Sequence, residues 1–131
     1  MNINSKLKIL YVDDSSVIRD MVESALLEIG FINIDGAEDG IEALELCAQE
    51  EYDFIITDIN MPNMDGIELI TRLRDKLDYL ITPIMVLSTE WSKEMKQKGK
   101  KAGATSWIVK PFDTKLLNKA ITETIAKVDS I

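Results

Sequence analysis

Acidic side chains stand at the ends of two apolar runs of the sequence, and a lysine follows a third. Asp58 comes directly after the run at 52–57, and Asp13 and Asp14 come after the run at 7–12. Lys110 follows the short run at 107–109. If these runs are parallel strands, their carboxyl ends meet at one edge of a sheet, where open α/β sheets place their ligand crevice. The spacing therefore predicts a site built from three acids and one lysine.

These residue types favour phosphoryl chemistry. An aspartate carboxylate can attack a phosphoryl group and form an acyl phosphate. A phosphoryl group among three carboxylates needs a cation, and Asp13, Asp14 and Asp58 offer the hard oxygen ligands that Mg²⁺ takes. Lys110 and the hydroxyl of Ser88, which ends the run at 83–87, can each contact a phosphate oxygen. The residues predict a phosphoryl acceptor, Asp58, at a Mg²⁺ site.

The amino-acid composition excludes several other kinds of chemistry. The chain has no histidine, which removes Ser-His-Asp catalysis, His-ligated zinc and any phosphohistidine on this chain. Its single cysteine, Cys47, cannot form an intramolecular disulfide and lies in an apolar helical stripe. We predict a buried thiol rather than a nucleophile.

The net charge limits which classes of partner the chain can bind. With 15 basic and 23 acidic side chains, the net charge is −8, which argues against nucleic acid or anionic membrane as a general partner. No run approaches the roughly 20 apolar residues that span a bilayer, and residues 1–6 do not resemble a signal peptide. We expect a cytoplasmic protein without membrane insertion.

The elements that must position these residues alternate along the chain. Apolar runs begin near Leu7, Phe31, Phe54, Ile84 and Trp107, and segments of helical periodicity separate them. This alternation predicts an α/β fold, a doubly wound parallel sheet with helices on both faces. We expect one domain over residues 1–131 and no second one.

Helix boundaries and stripes can be read from the same pattern. The predicted caps are Ser15 or Ser16 and Asp113, and Gly30 is a predicted stop. The second and third helices are expected to follow Asp39-Gly40 and Asp65-Gly66, the latter as a turn and helix entry. The predicted apolar stripes comprise Val17, Ile18, Met21, Val22, Ala25, Leu26 and Ile29; Ile41, Leu44, Cys47 and Ala48; Ile67, Ile70 and Leu73; and Leu116, Leu117, Ala120, Ile121, Ile125 and Val128.

The segment 91–101 is the weakest element. It carries five lysines and one glutamate, and its apolar stripe is limited to Trp91, Met95 and the adjoining Ala102. Two interpretations remain open: a solvated helical face, or a lightly packed helix that can shift as part of a switch.

Four separated motifs resemble the signature of one family. They are Asp13-Asp14, Asp58 with the loop 60–66, Ser88, and Lys110-Pro111-Phe112. Together they are similar to the receiver domains of two-component response regulators, over residues 6–128, and the expectation is a single receiver domain without an output domain. The resemblance implies a (βα)5 flavodoxin-like fold with strand order 2-1-3-4-5. Within the family, the loop 60–66 is most similar to the chemotaxis regulators of the CheY group.

The resemblance also implies roles for individual residues. Asp58 is the phosphorylation site, with Asp14 and Asp58 as direct metal ligands, the Asn60 backbone carbonyl as a third ligand, and Asp13 acting largely through water. Lys110, Ser88 and Trp107 form the switch, and Asn60 and Glu90 tune dephosphorylation. A cis peptide bond is expected before Pro111.

What the resemblance implies for function is a signalling protein rather than an enzyme. A CheA-like histidine kinase would phosphorylate Asp58 in trans, or small donors would do so with Mg²⁺, and the acyl phosphate would decay slowly by itself. The modified protein, expected as a monomer, would bind the flagellar motor switch or another target, and a phosphatase is a possible further partner. The alternatives are a phosphorelay intermediate, a phosphate sink and a pilus regulator.

Three rival families fit the residues less well. A calcium loop starting at Asp58 would need Gly at its sixth position, where Asn63 stands, and Pro62 occupies a ligand position. An aspartyl-nucleophile phosphatase, the remote alternative, would have Asp-x-Asp after the first strand, where Asp13-Asp14-Ser15 stands. A flavin-binding protein would need a phosphate loop there, and paired aspartates repel phosphate. Asp13-Asp14 could also simply cap the first helix.

Three positions depart from the commonest family pattern. Trp107 stands where Tyr or Phe is usual, Ser88 where Thr is usual, and Thr89 where Ala is frequent.

Overall fold

Strands and helices alternate along residues 3–129, the part of the chain that the computed structural model describes. The strands are β1 (Lys8–Val12), β2 (Asn33–Ala37), β3 (Phe54–Thr57), β4 (Ile84–Ser88) and β5 (Ser106–Val109). The helices are α1 (Ser16–Ile29), α2 (Gly40–Gln49), α3 (Gly66–Arg74), α4 (Lys93–Ala102) and α5 (Thr114–Asp129). Short 3-10 turns span Ile3–Lys6 and Leu77–Tyr79.

The five strands form one parallel sheet in the order β2-β1-β3-β4-β5. This confirms the predicted fold class and strand order. In the register of the central pair, Val12 lies opposite Thr57, so β1 and β3 end at the same level. The residues that follow these two strands therefore emerge side by side at the carboxyl edge of the sheet.

Both faces of the sheet are covered. Along β1, Ile9 and Tyr11 pack with α1 and α5, whereas Leu10 and Val12 pack with α2 and α3 on the other face. Successive side chains of a strand point to opposite faces, and a parallel sheet buried on both faces needs apolar residues at nearly every strand position. This is why the three central strands, β1, β3 and β4, read as nearly continuous apolar runs, whereas the edge strand β2 carries polar residues and is only partly buried.

The predicted helix caps are confirmed at α1 and α5, and Asp39 and Asp65, which the sequence placed at the entries of α2 and α3, cap those helices as well. A side-chain oxygen accepts the backbone N–H three residues further on at Ser15, Asp39, Asp65 and Asp113. Gly30 ends α1 with a φ of 121°, a conformation that glycine adopts without a Cβ penalty. The cap of α4, Ser92, did not figure in the sequence prediction.

Strand β2 begins two residues later than the apolar pattern suggested. Phe31 is buried, but its backbone N–H donates to the carbonyl of Leu26 and completes the end of α1. Its apolar side chain packs against the core from the helix-capping turn, as is frequent for the residue after a C-terminal glycine.

Several residues of the predicted helical stripes are exposed, and the prediction was wrong for them. Val17 and Met21 of α1 are 65% and 51% exposed. At 3.6 residues per turn they lie on the flank of the face that buries Val22 and Leu26. The same correction applies to Ile41, Ala48 and Leu116.

Trp91 is also outside the apolar stripe of its segment. It precedes α4 and is 72% exposed, so only Met95 and Ala102 of the predicted stripe pack against the core. Cys47, by contrast, is buried as predicted, and burial raises the pKa of its thiol.

Candidate functional site

Three carboxylates meet at the carboxyl edge of the central strands. Asp13 and Asp14 follow β1, and Asp58 follows β3. The backbone N–H of Asp58 donates to the carbonyl of Val12 at 2.9 Å, which joins the two strand ends. Carboxylate oxygens of the three acids lie within 4.8 Å of one another. Asp13 and Asp58 are buried, whereas Asp14 is exposed.

Lys110 reaches this cluster from the end of β5. Its Nζ donates to Oδ2 of Asp13 at 2.7 Å and to Oδ2 of Asp58 at 3.1 Å. The lysine backbone is fixed by an N–H to the carbonyl of Ser88 at 2.9 Å. The peptide bond to Pro111 is cis, as expected. The structure thus brings together the three acids and the lysine that the sequence placed at one edge.

The neighbouring residues in the sequence hold Asp58 in place. Its Oδ1 accepts the backbone N–H of Ile59 at 2.7 Å, and its carbonyl accepts the Thr57 hydroxyl at 2.8 Å. The N–H of Gly66 donates to the carbonyl of Ile59 at 2.8 Å, and a Cβ on Gly66 would overlap the Asp58 carbonyl oxygen. Gly66 is therefore more than a turn residue, because only glycine lets α3 start this close to Asp58.

Asp13 has two further donors that sequence reasoning missed. The Tyr11 hydroxyl donates to Oδ2 at 2.8 Å, and the Ser15 backbone N–H donates to Oδ1 at 2.9 Å. The side chain of Arg19 donates to the Asp13 carbonyl at 2.6 Å. The sequence did offer a signal for the contact between Tyr11 and Asp13, because side chains two residues apart along a strand lie on the same face.

The electrostatics of the cluster favour charged side chains despite their burial. Burial acts to raise the pKa of Asp13, but the hydrogen bonds from Lys110, Ser15 and Tyr11 outweigh it and hold that pKa below its ordinary value. Burial acts to lower the pKa of Lys110, but Asp13 and Asp58 raise it above its ordinary value. Burial and the neighbouring Asp13 raise the pKa of Tyr11, which stays protonated and can only donate to that carboxylate.

The donor set suits a hard divalent cation. Three carboxylates against one lysine leave an excess of negative charge at the cluster, and oxygen ligands at this density are those that Mg²⁺ and Ca²⁺ prefer. Asp14 is exposed and has no hydrogen bond or ion pair with residues 3–129, so its carboxylate is available to coordinate such a cation.

Three other predicted site residues lie at the ends of β3 and β4: Ser88 ends β4, Glu90 follows it, and Asn60 follows β3. Ser88 is completely buried, and its Oγ accepts the backbone N–H of Glu90 at 3.3 Å. Within the described part of the chain, the Ser88 side chain makes no hydrogen bond to Asp58 or Lys110. The Asn60 amide donates to the Glu90 carboxylate at 3.4 Å, so these two side chains link the loops after β3 and β4.

Trp107 is half-buried beside these loops. Its indole N–H donates to the Glu90 carbonyl at 2.9 Å. The ring packs on Gly99 of α4, where a Cβ would lie 2.6 Å from a ring carbon. Gly99 did not figure in the sequence prediction, although a glycine inside a helix is unfavourable by itself and therefore suggests a packing reason.

Comparison with known proteins agrees with this geometry. The model of the response regulator receiver domain matches residues 9–122. The chain belongs to this family. Receiver domains are phosphoacceptor signalling proteins rather than enzymes in the usual sense, and they imply a histidine kinase as donor and a downstream target. Membership decides against the phosphatase alternative.

Similar receiver domains include chemotaxis proteins. CheY-3 of Vibrio cholerae is 35% identical over 119 residues, covering 91% of this chain and 92% of the relative. CheY of Pseudomonas aeruginosa is 34% identical over 125 residues, covering 94% and 99%. The solved chemotaxis response regulator CheY4 of Vibrio cholerae superposes with a TM-score of 0.85 at 44% identity, covering 90% and 98%. This receiver domain is therefore that of a CheY-like response regulator.

No helix in residues 3–129 has both the length and the apolar character needed to cross a membrane.

Proposed function

We propose that Asp58 accepts a phosphoryl group from a phosphohistidine of a histidine kinase acting in trans. The observation that carries this is the setting of its carboxylate, which is buried beside Asp13 and Asp14 and held by Lys110 at 3.1 Å. An Asp58 carboxylate oxygen forms a bond to phosphorus while the bond from phosphorus to the donor nitrogen breaks. The electron pair of that bond remains on the imidazole, which takes up a proton.

Asp13, Asp14 and Asp58, with the backbone carbonyl of Asn60, would hold Mg²⁺. When bound, the ion neutralises negative charge on the acids and on the transferred group. With the same ion, small donors such as acetyl phosphate would serve in place of the kinase, and the acyl phosphate would hydrolyse slowly without a partner.

Lys110 and Ser88 carry the signal away from Asp58. A phosphoryl group brings a charge of about −1.5 to −2 and three acceptor oxygens, and Lys110 turns from the carboxylates to one of them. The Ser88 hydroxyl donates to another, which requires it to turn away from the Glu90 backbone. The Trp107 indole N–H donates to the carbonyl of that same Glu90, so the position of Trp107 changes when Ser88 turns away from the Glu90 backbone.

The downstream role we propose is CheY-type control of the flagellar motor in the cytoplasm, with a CheA-like kinase as donor. This is supported by relatives named as chemotaxis proteins that cover 91% and 94% of the chain. The output face would comprise α4, β5 and α5. Purified motor-switch protein should bind the phosphorylated protein more tightly than the unmodified one. Equal affinity for both forms would remove the motor as the target.

Phosphotransfer tests the chemistry. With Mg²⁺ and radiolabelled phospho-CheA, the protein should acquire one hydroxylamine-labile phosphoryl group, and Asp58→Asn should abolish it. Asp53→Asn is the matched control, since Asp53 directly precedes the same strand at its opposite end and its carboxylate accepts the Lys8 backbone N–H at 2.8 Å. Labelling that persists in Asp58→Asn, or that disappears in Asp53→Asn, would refute the assignment.

A further inference from the structure

A buried tyrosine shares one carboxylate oxygen with the lysine of the site. Tyr11 is 2% exposed, and its hydroxyl donates to Oδ2 of Asp13 at 2.8 Å. Lys110 donates to the same atom at 2.7 Å. The other oxygen, Oδ1, accepts the Ser15 backbone N–H at 2.9 Å. Asp13 is therefore a buried carboxylate with three donors, two of which converge on one oxygen.

This arrangement follows from the position of Tyr11 on β1. The ring packs in the apolar layer between the sheet and helices α1 and α5. A buried phenol needs a hydrogen-bond partner, and Asp13 is the acceptor that lies on the same side of the strand two residues later. Tyr11 lies on β1, and Asp13 directly follows the strand with its backbone N–H donating to the carbonyl of Ala37 at 3.0 Å, so the end of the sheet holds the pair in place.

We propose that Tyr11 is a positioning residue. Its hydroxyl holds Asp13 in place and keeps its hydrogen bond to Oδ2 of Asp13 when Lys110 moves to the phosphoryl group on Asp58. This inference rests on the lysine movement in the proposed function. Without Tyr11, the departure of Lys110 would leave Oδ2 of this buried carboxylate without a hydrogen-bond donor from residues 3–129, so that only a bound cation would offset its charge, and a poorly compensated buried charge is costly. With Tyr11 in place, that oxygen keeps a partner in both states, so Lys110 is easier to release.

The proposal predicts that the Tyr11 hydrogen bond matters more when Lys110 is absent than when it is present. The first test is a double-mutant cycle on the free energy of unfolding, without metal or phosphoryl donor. It compares the parent protein, Tyr11→Phe, Lys110→Met and the double variant. Two donors that substitute for each other give non-additive effects, so Tyr11→Phe should be more destabilising in the Lys110→Met background. Additive effects would overturn the shared-oxygen argument.

The second test uses beryllofluoride with Mg²⁺ as a stand-in for the phosphoryl group, followed by tryptophan fluorescence. Tyr11→Phe should raise the beryllofluoride dissociation constant by roughly three- to tenfold, the factor expected for one hydrogen bond. The matched control is Tyr52→Phe, which removes a phenol that donates to Asp35 at 2.7 Å, away from the three-acid cluster. It should leave the constant unchanged.

The two tests also separate this inference from the proposed function. If the parent protein fails to bind beryllofluoride, the proposed function fails, while the unfolding cycle still reports on the shared oxygen. If the parent binds and Tyr11→Phe binds equally well, the positioning role is wrong although Asp58 remains the acceptor. Equal weakening by Tyr11→Phe and Tyr52→Phe would likewise refute it, because the effect would then not belong to Asp13.

Discussion

The three acids of the site differ in their surroundings, so they are not interchangeable. Asp13 and Asp58 are buried and share the Lys110 ammonium, whereas Asp14 is exposed and has no such partner within residues 3–129. Like charges close together destabilise one another unless a cation relieves them. Asp14 therefore contributes repulsion to the metal-free protein and no compensating contact.

This difference predicts opposite effects of two similar substitutions on metal-free stability. Asp14→Asn should raise the unfolding temperature slightly in the presence of a chelator and abolish the stabilisation by Mg²⁺. Asp13→Asn should be destabilising by about 1.5–3 kcal/mol, because it weakens charge-assisted hydrogen bonds in a buried setting. Thermal unfolding of the two variants provides the comparison, and a clear loss of stability in Asp14→Asn would contradict the argument.

Asn60 and Glu90 should set the lifetime of the acyl phosphate. Their side chains meet at 3.4 Å across the loops after β3 and β4. Replacing both with alanine should change the decay rate severalfold while phosphorylation still occurs, because neither side chain supplies the nucleophile. Glu94→Gln is the control, since Glu94 lies on α4 and pairs with Lys98. A decay constant unchanged in the double variant would exclude both residues from hydrolysis.

At the scale of elements, α4 and β5 are joined by the contact between Gly99 and Trp107. In an open helix, Gly→Ala is stabilising by about 1 kcal/mol. Here the added methyl would meet the indole ring at 2.6 Å. Gly99→Ala should therefore destabilise the protein, by about 1–3 kcal/mol as in other overpacked sites, and displace Trp107. Emission of Trp107 in a Trp91→Phe background reports the displacement.

An exposed position of the same helix provides the control for that experiment. Gln97→Ala adds helix propensity without meeting the indole, so it should leave the emission of Trp107 unchanged. If Gly99→Ala stabilises the protein and leaves the emission unchanged, the contact does not constrain Trp107.

The elements also separate what the sequence could and could not predict. Asp13, Asp58 and Lys110 were predictable as neighbours, because each directly follows an apolar strand and parallel strands end at one edge. Which atoms would meet was not predictable, since it depends on the register that sets Val12 opposite Thr57 and on how far Lys110 reaches.

The packing contacts of the helices were even harder to predict from the sequence. A helical stripe predicts that some residues face the sheet, but not how wide the covered face is. Val17 and Met21 fit the period and are nonetheless exposed. The sequence could not predict the role of Gly99, because that role is to pack against the ring of Trp107, which lies eight positions later on another element.

At the scale of the whole molecule, the tyrosines predict how stability depends on alkaline pH. Burial, the largest cause, raises the pKa of all three tyrosines, Tyr11, Tyr52 and Tyr79, above the ordinary value of about 10. In the unfolded chain they ionise near that value, whereas in the folded protein they remain protonated. Their contribution to stability is thus complete below pH of about 10 and is lost as the pH rises above it.

The raised pKa values of Lys8 and Lys110 act in the same direction. We expect tyrosinate absorbance to appear only together with loss of the circular-dichroism signal, in one cooperative transition. Titration of the tyrosines while the protein stays folded would contradict the assigned burial.

The most direct test of the central proposal is to locate the phosphoryl group chemically. After reaction with acetyl phosphate and Mg²⁺, borohydride reduces an aspartyl phosphate to homoserine, and peptide mass spectrometry then identifies the reduced position. We predict homoserine at position 58 alone, with Asp13 and Asp14 unchanged. Homoserine at either of those two positions, or a borohydride-resistant phosphate on Ser88 or Thr89, would contradict the assignment of Asp58 as the acceptor.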